Sequence, residues 1–198
     1  MENWDESLSP IARERLARIG ELNSEEKETM LGAEKVDALL SEYYQGRIGP
    51  DDLWQRLRAE GKPSLLKHAQ VRLVESLSFG STPVELQRKK EGILAIETLK
   101  REQNTSALES DLKLIEQLQK TYRLEIDEAY GGIKAEVERN PRLRVKQVQQ
   151  GQNTVMVQLT VDEAIKQLPQ WRDFLSSQEQ RYGQEFVRAV EKLKRGLM

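Results

Sequence analysis

Between residues 140 and 160 the hydrophobic period of this chain changes from helical to alternating and then back again. Before the change, Leu108, Leu112, Ile115, Tyr122, Ile126, Ala129 and Ile133 recur at alternating spacings of four and three, with Gln119 as the one polar member. After it, Trp171, Leu175, Tyr182, Phe186, Val190, Leu193 and Leu197 form a second stripe, with Gln178 polar in register. In between, Leu143, Val145 and Gln147 alternate against Arg144, Lys146 and Val148. Gln150-Gly-Gln-Asn153 then supplies a turn, and Val155, Val157 and Leu159 alternate against Met156, Gln158 and Thr160. Asn140-Pro141 ends the first long helix, because the residue before a proline is pushed out of the helical region. The pattern predicts a β-hairpin over about 142–160 between two long amphipathic helices. A lone hairpin is marginal in water, so it must pack on helices or pair with a strand from another chain. Helices over 106–139 and 162–197 would be about 51 and about 54 Å long at 1.5 Å per residue. Equal lengths and equal stripes predict that the two fold back antiparallel.

Shorter helices with clear stops precede this region. Ser9-Pro10 opens a helix running to Gly20, and Asn23 with Glu26 fits a cap for the next, which carries Met30, Val36, Leu39, Leu40 and Tyr43 and ends near Gly46. Pro50 with Asp51 and Asp52 opens a third over Leu53, Trp54 and Leu57, closed by Gly61-Lys-Pro. A fourth, Ser64 to Phe79, places Leu66, Ala69, Leu73 and Leu77 on one face. Thr82-Pro-Val-Glu85 is a capping box that starts a helix through Leu86, Ile93, Leu94, Ile96 and Leu99, with a restart near Ser106. Gly131-Gly132 should weaken the long helix by about 1 kcal/mol per glycine, and a kink or break is expected there. Thr160-Val-Asp-Glu163 is another capping box, and Pro169 interrupts the helix it opens. The expected fold is mainly α: a small helical bundle over 1–80, then over 81–198 a long, coiled-coil-like helical hairpin with the β-hairpin inserted.

The search for chemistry finds little. Cysteine is absent, which removes disulfides, thiolate metal sites and cysteine nucleophiles and fits a reducing cytosol. His68 is the only histidine, so zinc and di-iron sites lack their usual ligands and a nucleophile–histidine triad has one candidate base. No phosphate-binding glycine loop or serine elbow occurs. Acidic clusters at Glu25-Glu26-Glu28 and Asp51-Asp52 sit at helix starts, where they complement the dipole, and Glu125, Asp127 and Glu128 flank the stripe. No catalytic residue, cofactor or metal is expected.

The net charge of −2 argues against a general nucleic-acid binder. The charge is uneven, however: residues 1–60 carry 14 acids against 8 bases, and the remainder carries 19 against 23. Arg142, Arg144 and Lys146 gather at the first strand, and Arg144 and Lys146 would project from one strand face as a nucleic-acid contact. No apolar run approaches the length of about 20 residues needed to span a bilayer, so no membrane partner is expected. Trp4, in the acidic N-terminal tail, has the character of a docking anchor.

From about Leu108 to the C-terminus, the order of long helix, hairpin and long helix resembles the layout of a β-type prefoldin subunit. The likeness is carried by Asn153-Thr-Val-Met-Val-Gln-Leu-Thr-Val-Asp-Glu-Ala164, a strand running into an acidic helix start. It implies that a hairpin between coiled-coil arms can serve as an assembly element.

The expected role is a non-enzymatic interaction or assembly protein. Its stripes would form a stalk whose residues Leu112, Ile115, Tyr122, Ile126, Trp171, Leu175, Phe186 and Val190 would meet a protein partner or a second copy, and the hairpin 143–160 would pair with another copy or partner. A chaperone-like cofactor of the prefoldin type, or a nucleic-acid- or ribosome-associated factor using the basic hairpin, are the alternatives.

Overall fold

The computed structural model describes residues 24–150 and 153–197. The expected helix over residues 9–20, the Asn23 cap and Trp4 lie outside them, as do the side chains of Glu25 and Glu26. Seven α-helices and one two-stranded antiparallel sheet make up the described chain: α1 (Ser24–Tyr44), α2 (Pro50–Glu60), α3 (Pro63–Glu75), α4 (Pro83–Glu97), α5 (Thr105–Arg139), β1 (Val145–Gln150), β2 (Asn153–Gln158), α6 (Val161–Gln167) and α7 (Pro169–Gly196). The fold is mainly α, with the hairpin between helices as expected. None of the described helices is long and apolar enough to cross a membrane.

The chain divides into two compact units, one formed by the described residues up to Leu77 with Thr82–Thr105 and Leu197, the other by Ser78–Ser81 with Ser106–Gly196. In the first, α1 to α4 pack around Val36, Leu40, Tyr43, Leu53, Leu57, Leu73, Val74, Ile93 and Ile96, all buried. The predicted starts are present. Proline stands at the first turn of α2, α3 and α4, and Thr82 and Glu85 exchange the two bonds of a capping box, at 3.2 Å from the Glu85 amide to Thr82 Oγ1 and 2.7 Å from the Thr82 amide to Glu85 Oε2. Helix α3 stops at Glu75, short of the expected Phe79.

Helix α4, which the sequence groups with the segment after residue 80, belongs to the first unit for identifiable reasons. The Tyr43 hydroxyl donates to the Arg88 carbonyl, and the same ring lies so near Gly92 that a Cβ there would sit 2.9 Å from its edge. Gln70 on α3, fully buried, donates through Nε2 to the Ile93 carbonyl (3.2 Å) and to the Glu97 carboxylate (2.8 Å). Glu97 also accepts from Lys100 (3.0 Å) and from the Asn104 amide (2.7 Å). Burial opposes the charge on Glu97, but these donors outweigh it and hold its carboxyl below the ordinary value of 4.5.

In the second unit, α5 and α7 run antiparallel, as their stripes predict. Asp111 pairs with Lys192 (2.7 Å), Glu125 with Arg181 (2.5 Å) and with the Tyr182 hydroxyl (2.7 Å), and Tyr130 stacks edge-on to Trp171. The partners thus descend along α7 as residue numbers rise along α5. Phe79 enters this unit against Tyr122 and Phe186, with ring centroids at 4.9 and 5.7 Å. Such aromatic pairs are worth about 0.5–1.5 kcal/mol each beyond the area they bury. Helix α5 passes through Gly131-Gly132 without the expected break. No atom lies within 4 Å of a Cβ built on either glycine, so the two stand on an open face where the helix needs no side chain to pack. Pro169 does divide the last helix, with α6 ending at Gln167 and α7 restarting at Pro169.

Candidate interaction surface

The eight stripe residues expected to meet a partner are largely spoken for by the chain itself. Leu112, Ile115, Trp171 and Phe186 are buried. Tyr122, Ile126, Leu175 and Val190 are half-buried. Tyr122 lies against Phe79 and Tyr182, while Ile126 and Leu175 join the cluster around Val137, Ala164, Ile165 and Trp171. That cluster also takes in Leu143, Leu159 and Val161, the residues at the foot of the hairpin. Gln119, the polar break in the stripe, is buried and donates to the carbonyls of Ser78 (2.9 Å) and Phe79 (2.8 Å). Sequence reading saw it only as a defect in the pattern, because its partners lie some forty residues away.

The hairpin itself is the opposite case. The pairing Val145↔Gln158, Lys146↔Val157, Gln147↔Met156 and Val148↔Val155 sets Lys146, Val148, Val155 and Val157 on one face and Val145, Gln147, Met156 and Gln158 on the other. Both faces are open. Val145, Val148, Val155 and Val157 are each about two-fifths exposed, and Met156 is 62% exposed. No third strand joins this sheet among the described residues, so both outer edges lack a strand partner. Among the described residues, the foot of the hairpin packs on the helical cluster through Leu143, Leu159 and Val161.

The expected basic face is not assembled as the alternation implied. Arg144 lies in a 3₁₀ turn (Pro141–Arg144) rather than on the strand, because Pro141 sets that turn. Its Nε donates to the Leu159 carbonyl at 3.0 Å, so its guanidinium braces the foot of the hairpin. Arg142 is exposed on the same turn, and Lys146 is the one cation left on the strands. In the first unit, His68 meets Asp37 at 3.0 Å at the surface. Asp52 accepts from the Gly49 amide (3.3 Å) at the start of α2, and Glu125 is engaged by Arg181 and Tyr182. These acids serve as caps and pairs within the chain.

The hairpin residues, which the sequence reading expected to pair with another copy or partner, thus form a contiguous exposed apolar group in the second unit. The signal was present: valine and methionine occur in both phases of the alternation, whereas a half-buried strand keeps apolar residues in one phase only. No protein-family model, curated protein or solved structure matches this chain, so the likeness in layout to a β-type prefoldin subunit rests on the strand-to-helix segment alone.

Proposed function

We propose that this chain is a non-enzymatic interaction and assembly protein, working in the cytoplasm, that presents its β-hairpin to another polypeptide. The observation that carries this reading is the hairpin, which packs on helices at its foot and, among the described residues, shows apolar side chains on both faces and no further strand on either edge. Exposed edges of this kind are templates for strand addition, in which main-chain hydrogen bonds give affinity and alternate side chains give selectivity. The helical stalk of α5 and α7 supplies a rigid mount, since its own stripe is occupied. The nucleic-acid alternative is left with less support, because Arg144 spends its guanidinium on Leu159.

The test is capture of binding proteins from native cells by the intact chain and by the double variant Val148→Lys, Val155→Lys, at low and high salt, with and without RNA. A hairpin partner is expected to be lost by the variant, to persist at high salt and to ignore RNA. Binding that needs RNA and falls steeply with salt, or a partner set that the variant retains in full, would overturn the reading.

A further inference from the structure

The hairpin's own pairing determines which backbone groups each of its edges offers. The Leu159 amide donates to the Arg144 carbonyl at 2.7 Å, which points the main-chain groups of Leu159 toward β1. Backbone groups along a strand alternate in direction, so those of Val157 and Val155 face β1 as well, while those of Thr154, Met156 and Gln158 face the open edge. The side chains read Thr-Val-Met-Val-Gln from 154 to 158, a sequence whose character is the same in both directions about Met156. Nothing in β2 is charged, and it contains neither proline nor glycine, the usual guards of an edge strand.

Resting on the reading of the hairpin as an interaction element, we propose that two copies pair antiparallel through β2, with the two-fold axis at Met156. Of the registers that bring outward groups together, this one uses all three: Met156 opposite its twin, and Thr154 opposite Gln158 in both directions. It closes about six main-chain hydrogen bonds. It also sets Val155 of each copy directly against Val157 of the other, valine on valine, on the face that already carries Val148. The same operation on β1, centred on Gln147, would set Lys146 against Val148, so β1 is the poorer edge for self-pairing. An uncharged, chemically palindromic edge asks for a partner without charge and with the reversed pattern, and a second β2 meets both demands. An edge of six residues buries less than a standard interface of about 1,600 Å², so the dimer is expected to be reversible and dependent on concentration.

Sedimentation velocity of the full chain over a concentration series reads this directly. A monomer–dimer equilibrium is expected, abolished by Met156→Pro, which removes an outward amide that β1 does not use, and by Met156→Lys, which places like charges face to face. Lys146→Glu on the other strand should leave it intact. Because the chain has no cysteine, a second reading is available. A mixture of Val155→Cys and Val157→Cys chains should form a disulfide between the two kinds of chain, because directly opposed residues of a non-hydrogen-bonded pair stand about 4.5 Å apart at Cα. Neither variant alone should do so. A chain that stays monomeric throughout, a dimer indifferent to both Met156 variants, or a disulfide formed equally by Val155→Cys alone would each overturn the proposal. A monomeric chain that still captures a hairpin-dependent protein from native cells would sink the self-pairing and leave the interaction role standing.

Discussion

The helical bundle and the hairpin treat one residue type in opposite ways. Val74 on α3 is fully buried, while Val155 on β2 leaves 41% of its surface open. Val74 belongs to a unit held by specific contacts: Tyr43 lies on Gly92, and Gln70 and Glu97 bind α3 to α4. Around Val155 there is one neighbouring strand and then, among the described residues, no further strand. The bundle buries its apolar residues within itself, whereas the hairpin leaves them open to solvent.

The contrast breaks most readily in the bundle. Ile93→Ala deletes a fully buried side chain and is expected to lower stability by about 2–5 kcal/mol in urea unfolding. A loss below about 1 kcal/mol would mean that the bundle core is loose. Val74→Thr keeps the shape but buries a hydroxyl, and is expected to cost about 1–3 kcal/mol. Alkaline pH sharpens the same point at Tyr43. Desolvation, aided by the charge of Glu91, raises its hydroxyl from 10.0 to about 12. The folded state therefore holds this proton more tightly than the unfolded chain does. The stabilisation is complete below pH 10 and is lost as pH rises from there toward 12. Denaturant midpoints should fall across that window, and Tyr43→Phe should flatten the fall while starting lower, having lost the bond to Arg88. The smallest effect belongs to the hairpin: Val155→Thr in dilute protein is expected to change stability by no more than about 0.5 kcal/mol. If it cost as much as Val74→Thr, the hairpin would be covered and the contrast would fail.

Much of this was readable from local signals. The capping boxes at Thr82-Glu85 and Thr160-Glu163, the restart at Pro169 and the hairpin itself all depend on residues within a few positions of one another. The antiparallel stalk followed from two stripes of equal length. Where reading along the chain failed, the decisive partner was remote or the alternation was overruled. Gln119 is explained only by Ser78 and Phe79, and α4 joins the bundle through Tyr43 and Gln70. Arg144 leaves the strand because Pro141 imposes a turn. The stripe residues were correctly seen as apolar and placed on one seam. The seam's capacity to cover them could not be counted from sequence, because Phe79 comes into it from a distant segment.

A strand pair buried on one side learns its alignment from the core, since slipping by one residue would turn its greasy side outward. With both sides open, this ribbon has no such teacher. Its alignment is dictated from below: Arg144 and Leu159 clasp each other through main chain and guanidinium, and the Thr160 cap forces the polypeptide out of extended geometry immediately afterwards. The clasp works as a keying pin. It fixes which atoms any docking molecule will find along the free margin, although it lies outside that margin itself.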